Sequence, residues 1–211
     1  SRLRAPRAPR APMDGPPFLG EPLRFGPPQG GADAVVLVLH GHDEGPENGW
    51  PERFAPLRAA HPSWSWVHLR APALPQRCLR GAACLAWGNY LLYECTCVGN
   101  ADYDNPDRER WYAASVNGIC DIVDTCGLNC DQVAVIGFSQ GAAVALQATV
   151  EMAMGLAGPR GTERRRRRLA GCVALCGWLL PAARLALESG HAGGEGEDGE
   201  GEQEEKAEDE N

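Results

Sequence analysis

The sequence predicts an α/β fold, a parallel sheet with helices on both faces. Three observations predict it. Apolar runs recur at 34–41, 133–137 and 169–176, and the first two, rich in β-branched residues, suit strands buried on both faces. Amphipathic stretches at 50–60, 109–125 and 140–154 separate them, and strand–helix alternation of this kind builds βαβ units. At 211 residues the chain can hold one domain with a full core and is short for two.

Residues 1–31 combine Pro, Arg and Gly with few large apolar groups and open on an Arg-Ala-Pro repeat. Proline at that density favours extended, unpaired backbone, so this stretch is expected to be disordered. Its acid-free, Arg-rich start fits either a transit peptide or sequence upstream of a start at Met13. AVVLVLHG then reads as a strand ending at Gly41. Trp50, Phe54, Leu57 and Arg58 are spaced for a helix over 50–60, and 66–69 reads as a short strand. Residues 73–107, with Trp87, Tyr90 and Tyr93, read as irregular. Trp111, Ser115, Ile119, Ile122 and Val123 mark one face of a helix over 109–125, which Gly127 stops. A strand at 133–137, a helix at 140–154 and a strand at 169–176 follow. Beyond Leu187 the chain is Gly/Glu low complexity, expected to be disordered. The expected organisation is therefore a Pro/Arg-rich N-terminus (1–31), a domain (32–187) and an acidic tail (188–211).

The net charge of −8 conceals a split: eleven of the 28 acidic residues lie in 188–211, beside one lysine. The body is close to neutral, which argues against a nucleic-acid-binding surface across the domain. No apolar run approaches the ~20 residues of a membrane span. The nine cysteines are odd in number and contain no Cys-x-x-Cys, so free thiols in a reducing compartment are expected, with no metal and no cofactor. Cys95-x-Cys97 and Cys126-x-x-x-Cys130 are the alternative metal or redox pairs.

The chemistry points to Gly137-Phe138-Ser139-Gln140-Gly141, a Gly-x-Ser-x-Gly pentapeptide between a buried strand and a helix. A turn that tight needs small residues two positions either side of the serine. It exposes a hydroxyl where helix N–H groups face developing negative charge. Ser139 is the candidate nucleophile, and the backbone N–H of Gln140 is one candidate oxyanion donor. The second is the N–H of His42, on the loop after the first strand, where Gly41 gives the turn its freedom. His40 reads as a structural histidine tying that loop down.

VLVLHG, HLRAP, VAVIGFSQGAAVAL and GCVALCGWLLP, in that order, resemble the acyl-protein thioesterase and phospholipase/carboxylesterase family of α/β-hydrolases, from about residue 34 to 181. The resemblance implies an α/β-hydrolase fold and a serine hydrolase of thioesters or esters, acting on an acylated protein or a lipid ester such as a lysophospholipid. It implies Ser139 as nucleophile, with Gln140 and His42 as oxyanion donors and no cofactor. Trp87 and Trp178 are the candidate residues of an acyl channel. A cytoplasmic enzyme with at most peripheral membrane contact and no nucleic-acid partner is expected, and the oligomeric state stays open.

Three departures qualify this. The family's His-Gly-Leu-Gly-Asp loop is His40-Gly41-His42-Asp43-Glu44 here, without the second glycine. Five arginines at 164–168 precede the last strand; a solvated loop, or contact with phosphate or anionic lipid, are the two readings. The triad acid and histidine of the family lie on later strands, after this sequence ends. His191 is the only histidine beyond Ser139, and its low-complexity setting offers nothing to hold it near the serine. The expectation is thus a domain truncated before its last two strands and catalytically incomplete. The alternative is a non-catalytic pseudo-hydrolase that binds acyl groups or a protein partner.

Overall fold

The computed structural model describes residues 20–28, 31–90, 108–156 and 166–192. One sheet has five strands, in the spatial order Gly20–Phe25, Trp64–Arg70, Ala34–Leu39, Val133–Phe138, Gly171–Leu175. Its strands are β1 (Gly20–Phe25), β2 (Ala34–Leu39), β3 (Trp64–Arg70), β6 (Val133–Phe138) and β7 (Gly171–Leu175). β2 pairs in parallel with β3 and β6, and β6 with β7; only β1 is antiparallel, against β3. β4 (Ala73–Pro75) and β5 (Ala83–Leu85) form a separate antiparallel hairpin. The helices are α1 (Trp50–Arg53), α2 (Ala55–Ala60), α3 (Arg108–Thr125), α4 (Gln140–Met154) and α5 (Pro181–Ala192).

The strand period of two divides the core between the two faces of the sheet. Val35, Leu37 and Leu39 of β2, with Val133 and Val135 of β6, face α3 and α4, whose Val116, Ile119, Ala148 and Met152 close that side. Val36 and Val38 point the other way, toward Trp66, Phe54 and Phe25. The sheet therefore carries helices on both faces, as the alternation of the sequence predicts.

Several boundaries differ from expectation, each for a local reason. The segment 1–31, expected to be disordered, supplies β1. Its Pro22 falls in a register shift between Gly20 and Leu23, on an edge strand, where a missing N–H breaks no ladder. The single helix expected over 50–60 is two pieces meeting at Phe54, with a proline in the first turn of each. The stretch 73–107, expected to be irregular, contains the β4–β5 hairpin. The boundary expected at Leu187 falls inside α5, which runs on to Ala192. The outer β7 edge carries Val173 and Leu175, 49% and 42% exposed, in register with Ile136 and Phe138. Of the arginine run, Arg167 pairs with Asp124 of α3 and donates its N–H to the Met152 carbonyl, while Arg166 and Arg168 are exposed. Arg164 and Arg165 lie outside the described residues, as do Cys95 and Cys97.

His68 of β3 is fully buried, against Phe25 and Phe54, and neither ring nitrogen has a partner. Burial, aided by the Arg58 charge and opposed by Glu52, lowers its pKa to about 4. The unfolded chain takes up this proton near pH 6.5 and the folded chain only near 4, so stability is full above 6.5 and falls as pH drops. The loss approaches ~3 kcal/mol by pH 4. His68→Phe should therefore be more stabilising at pH 5 than at pH 8 in urea titrations. An equal effect at both pH values would contradict this assignment.

Candidate active site

Ser139 follows the last residue of β6 and precedes the first of α4, with φ 51° and ψ −115°. That region is sparsely populated for a residue with a Cβ and costs on the order of 1–3 kcal/mol. The surroundings hold it there. Its N–H donates to the Leu175 carbonyl of β7 at 2.8 Å, and its own carbonyl accepts from Ala142 and Ala143 at 3.0 and 3.2 Å. Its hydroxyl does not cap the helix. A serine at such a position ordinarily spends its side chain on a cap; this one leaves it available at the end of a 15-residue helix.

The flanking glycines are required by close approach. A Cβ on Gly137 would overlap the Gly141 carbonyl and lie 2.5 Å from Ala142 Cα. On Gly141 it would lie 2.5 Å from the His40 oxygen and 2.6 Å from that of Leu39. The start of α4 is thereby pressed onto the end of β2, which brings the Gln140 backbone beside the loop that carries His42.

His40 is buried and its ring is bonded on both sides. The Ala71 N–H donates to Nε2 at 3.0 Å, so the proton sits on Nδ1, which donates to the Gly41 carbonyl at 2.8 Å. Burial lowers its pKa, keeping it neutral and in this tautomer. Glu44 accepts from the Gly41 N–H and from the Trp50 indole, both at 3.1 Å. Asp43 has φ 56°, at the position where the family pattern carries its second glycine. Aspartate tolerates the left-handed region better than most residues, so the turn survives the substitution.

The His42 ring lies against the hairpin, with Nε2 3.4 Å from Gln76 Oε1 and 3.5 Å from Cys84 Sγ, and stacks tilted on Tyr90. Gln76 Oε1 also accepts from the Tyr90 N–H, so it faces His42 as an acceptor and Nε2 carries the proton. Burial lowers the His42 pKa, and burial likewise raises the Cys84 thiol to about 11.

Gln140 is completely buried. Its Oε1 accepts from the Trp87 N–H at 2.8 Å, and its Nε2 donates to the Gly88 carbonyl at 3.2 Å and to Tyr112 Oη at 3.1 Å. Trp87 has 0% exposure and stands in the core. The indole and backbone N–H groups of this candidate acyl-channel residue are both bonded inside the protein. Trp178 is half-buried and contacts the Tyr90 ring at 6.1 Å, continuing an aromatic row from His42. The sequence reading missed Tyr112 and Ser115. Ser115 on the apolar stripe of a helix was the available signal, because a buried hydroxyl needs a partner, here the Trp87 carbonyl at 2.6 Å.

Among the described residues no hydrogen bond joins Ser139 to a histidine. His61 stacks on Trp64, His68 packs against Phe54, and His191 falls in the last turn of α5, its side chain outside the described residues. The seven described cysteines are free thiols, and no cluster of metal-ligating side chains occurs among the described residues.

Among solved structures, Zea mays acyl-protein thioesterase 2 is similar at 25% identity and TM-score 0.60, over 81% of this chain and 68% of that one. A variant of Arabidopsis thaliana SOBER1 (23%, TM-score 0.51, 69% of this chain and 61% of that one) and esterase PE8 (19%, 0.56, 79% and 67%) share the fold. The chain thus spans between 61% and 68% of the length of these proteins. No curated protein matches it. The model of the phospholipase/carboxylesterase family matches residues 25–192, and the chain belongs to that family of α/β-hydrolases.

Proposed function

We propose that the protein is a serine hydrolase of acyl thioesters or carboxylic esters, with Ser139 as nucleophile. The observation that carries this is the uncapped Ser139 hydroxyl on a strained turn at a helix N-terminus. In this reading Ser139 Oγ attacks the acyl carbonyl carbon. The oxyanion is met by the N–H groups of Gln140 and His42, the thiol or alcohol departs, and water releases the acid. A base must take the serine proton. The histidines whose rings are described are bonded, stacked or buried away from Ser139, so the reading draws the base and its acid from outside the described residues. The name of the maize relative favours acyl-protein thioesters; lysophospholipids and simple carboxylesters are the other substrates in scope. The free thiols support a cytoplasmic location. No helix among the described residues is long and apolar enough to cross a membrane.

The test uses protein expressed from its complete transcript. It should hydrolyse short-chain p-nitrophenyl esters and a palmitoyl thioester peptide, and a fluorophosphonate should abolish both activities. Binding of acyl ligands with no turnover by the complete product would instead favour the pseudo-hydrolase, the reading supported by the lack, among the described residues, of a histidine bonded to Ser139.

A further inference from the structure

Trp87 bridges the two segments that carry the candidate oxyanion donors. Its backbone N–H reaches Gln140 Oε1 at 2.8 Å, and its indole Nε1–H reaches the His40 carbonyl at 2.7 Å. One residue is thereby bonded to the turn after Ser139 and to the loop after β2. Every other polar atom of the bridge has a partner too. Ser115 Oγ donates to the Trp87 carbonyl at 2.6 Å, and Gln140 Nε2 donates to Gly88 and to Tyr112. The His40 ring, fixed by Ala71 and Gly41, packs tilted against the indole at 5.2 Å. Gly88 admits no side chain, since a Cβ there would lie 2.7 Å from the Tyr112 ring. Trp87 and Gln140 are both at 0% exposure, so water cannot replace a lost bond cheaply.

We propose that Trp87 is a positioning residue for the hydrolytic reaction: its two N–H groups set the separation between the Gln140 turn and the His40–His42 loop, and so the convergence of their amides on one oxygen. This rests on the oxyanion role proposed above for those amides. An oxyanion acts on donors preset at ~2.7–3.1 Å, and losing one such donor costs about 10²–10³ in turnover. A shifted loop should cost a fraction of that, and it should show in kcat rather than in substrate binding.

The test is Trp87→Phe, which keeps the aromatic bulk and the backbone bond and removes the indole donor to His40. In protein from the complete transcript, kcat for a p-nitrophenyl ester should fall ~10-fold or more with KM within twofold. The fluorophosphonate labelling rate should fall in parallel. A trifluoromethyl ketone, which forms the tetrahedral adduct, should lose affinity by the same factor, and a fatty acid product should not. Ser115→Ala, which loosens the bridge at the Trp87 carbonyl, should show the same pattern at a few-fold and keeps the proposal testable if Trp87→Phe does not fold. If kcat stays within twofold in whichever variant folds, or ketone and product affinities fall together, the proposal is overturned. Ser139→Ala separates the two ideas: an inactive Ser139→Ala beside an unaffected Trp87→Phe removes only the bridge, whereas full activity in Ser139→Ala removes the hydrolase reading beneath it.

Discussion

Ser139→Ala should lower ester hydrolysis by about 10³-fold or more while leaving the fold intact, because the nucleophile of a covalent mechanism has no substitute. The structural side of this expectation is unusual. The Ser139 hydroxyl caps nothing, so its removal costs no helix-capping energy. The backbone at φ 51° is held by the bonds to Leu175, Ala142 and Ala143, all made by main-chain atoms that alanine retains. Activity should therefore vanish with thermal unfolding shifted by only a few degrees, as for a surface-like change within ~0.5 kcal/mol. A large drop in stability would mean that the hydroxyl has a structural partner and that the serine is not held in reserve for chemistry.

The second large effect concerns the glycines. Gly→Ala inside a helix ordinarily stabilises by up to ~1 kcal/mol, because glycine has more backbone entropy to lose. At Gly141, in the first turn of α4, the sign should reverse. The new methyl would stand 2.5 and 2.6 Å from two carbonyl oxygens of the β2 end, and neither is the flexible tip of a side chain. The helix must move off the strand, at a cost of about 3 kcal/mol in the range of overpacked and strained sites. That displacement also carries the Gln140 N–H away from the His42 loop, so activity should fall further than stability explains. Gly137→Ala should behave alike, since its Cβ would crowd the Ala142 backbone. Gly31→Ala is the control: nothing lies within 4 Å of a Cβ there, and its midpoint in urea should hardly move. Equal midpoints for Gly31→Ala and Gly141→Ala would contradict the close approach of helix and strand.

The parts legible in the sequence are those fixed by local pattern. β2 and β6 are unbroken apolar runs because both faces of the sheet are covered around them, and the bounds of α4 are those read from the sequence. Ser139, Gly137 and Gly141 were legible because one tight turn dictates all three. β1 was hidden by Pro22 and Arg24, residues that suit an edge but weaken the strand pattern. The β4–β5 hairpin has strands of three residues, too short for a period to register. α5 was hidden because its last turns run into the Gly/Glu composition of the tail. The bonds of Trp87 were hidden for a different reason. Its partners are His40 and Gln140, 47 and 53 residues away, and no window around position 87 contains them. The same distance in sequence hid the roles of Tyr112 and Ser115.

The most direct measurement is peptide mapping by mass spectrometry after a fluorophosphonate has reacted with protein from the complete transcript. The account predicts the phosphonyl group on the Ser139 peptide, where the strained turn presents the one hydroxyl that α4 leaves uncapped. An adduct on another residue, with Ser139 unmodified while hydrolysis is blocked, would contradict it.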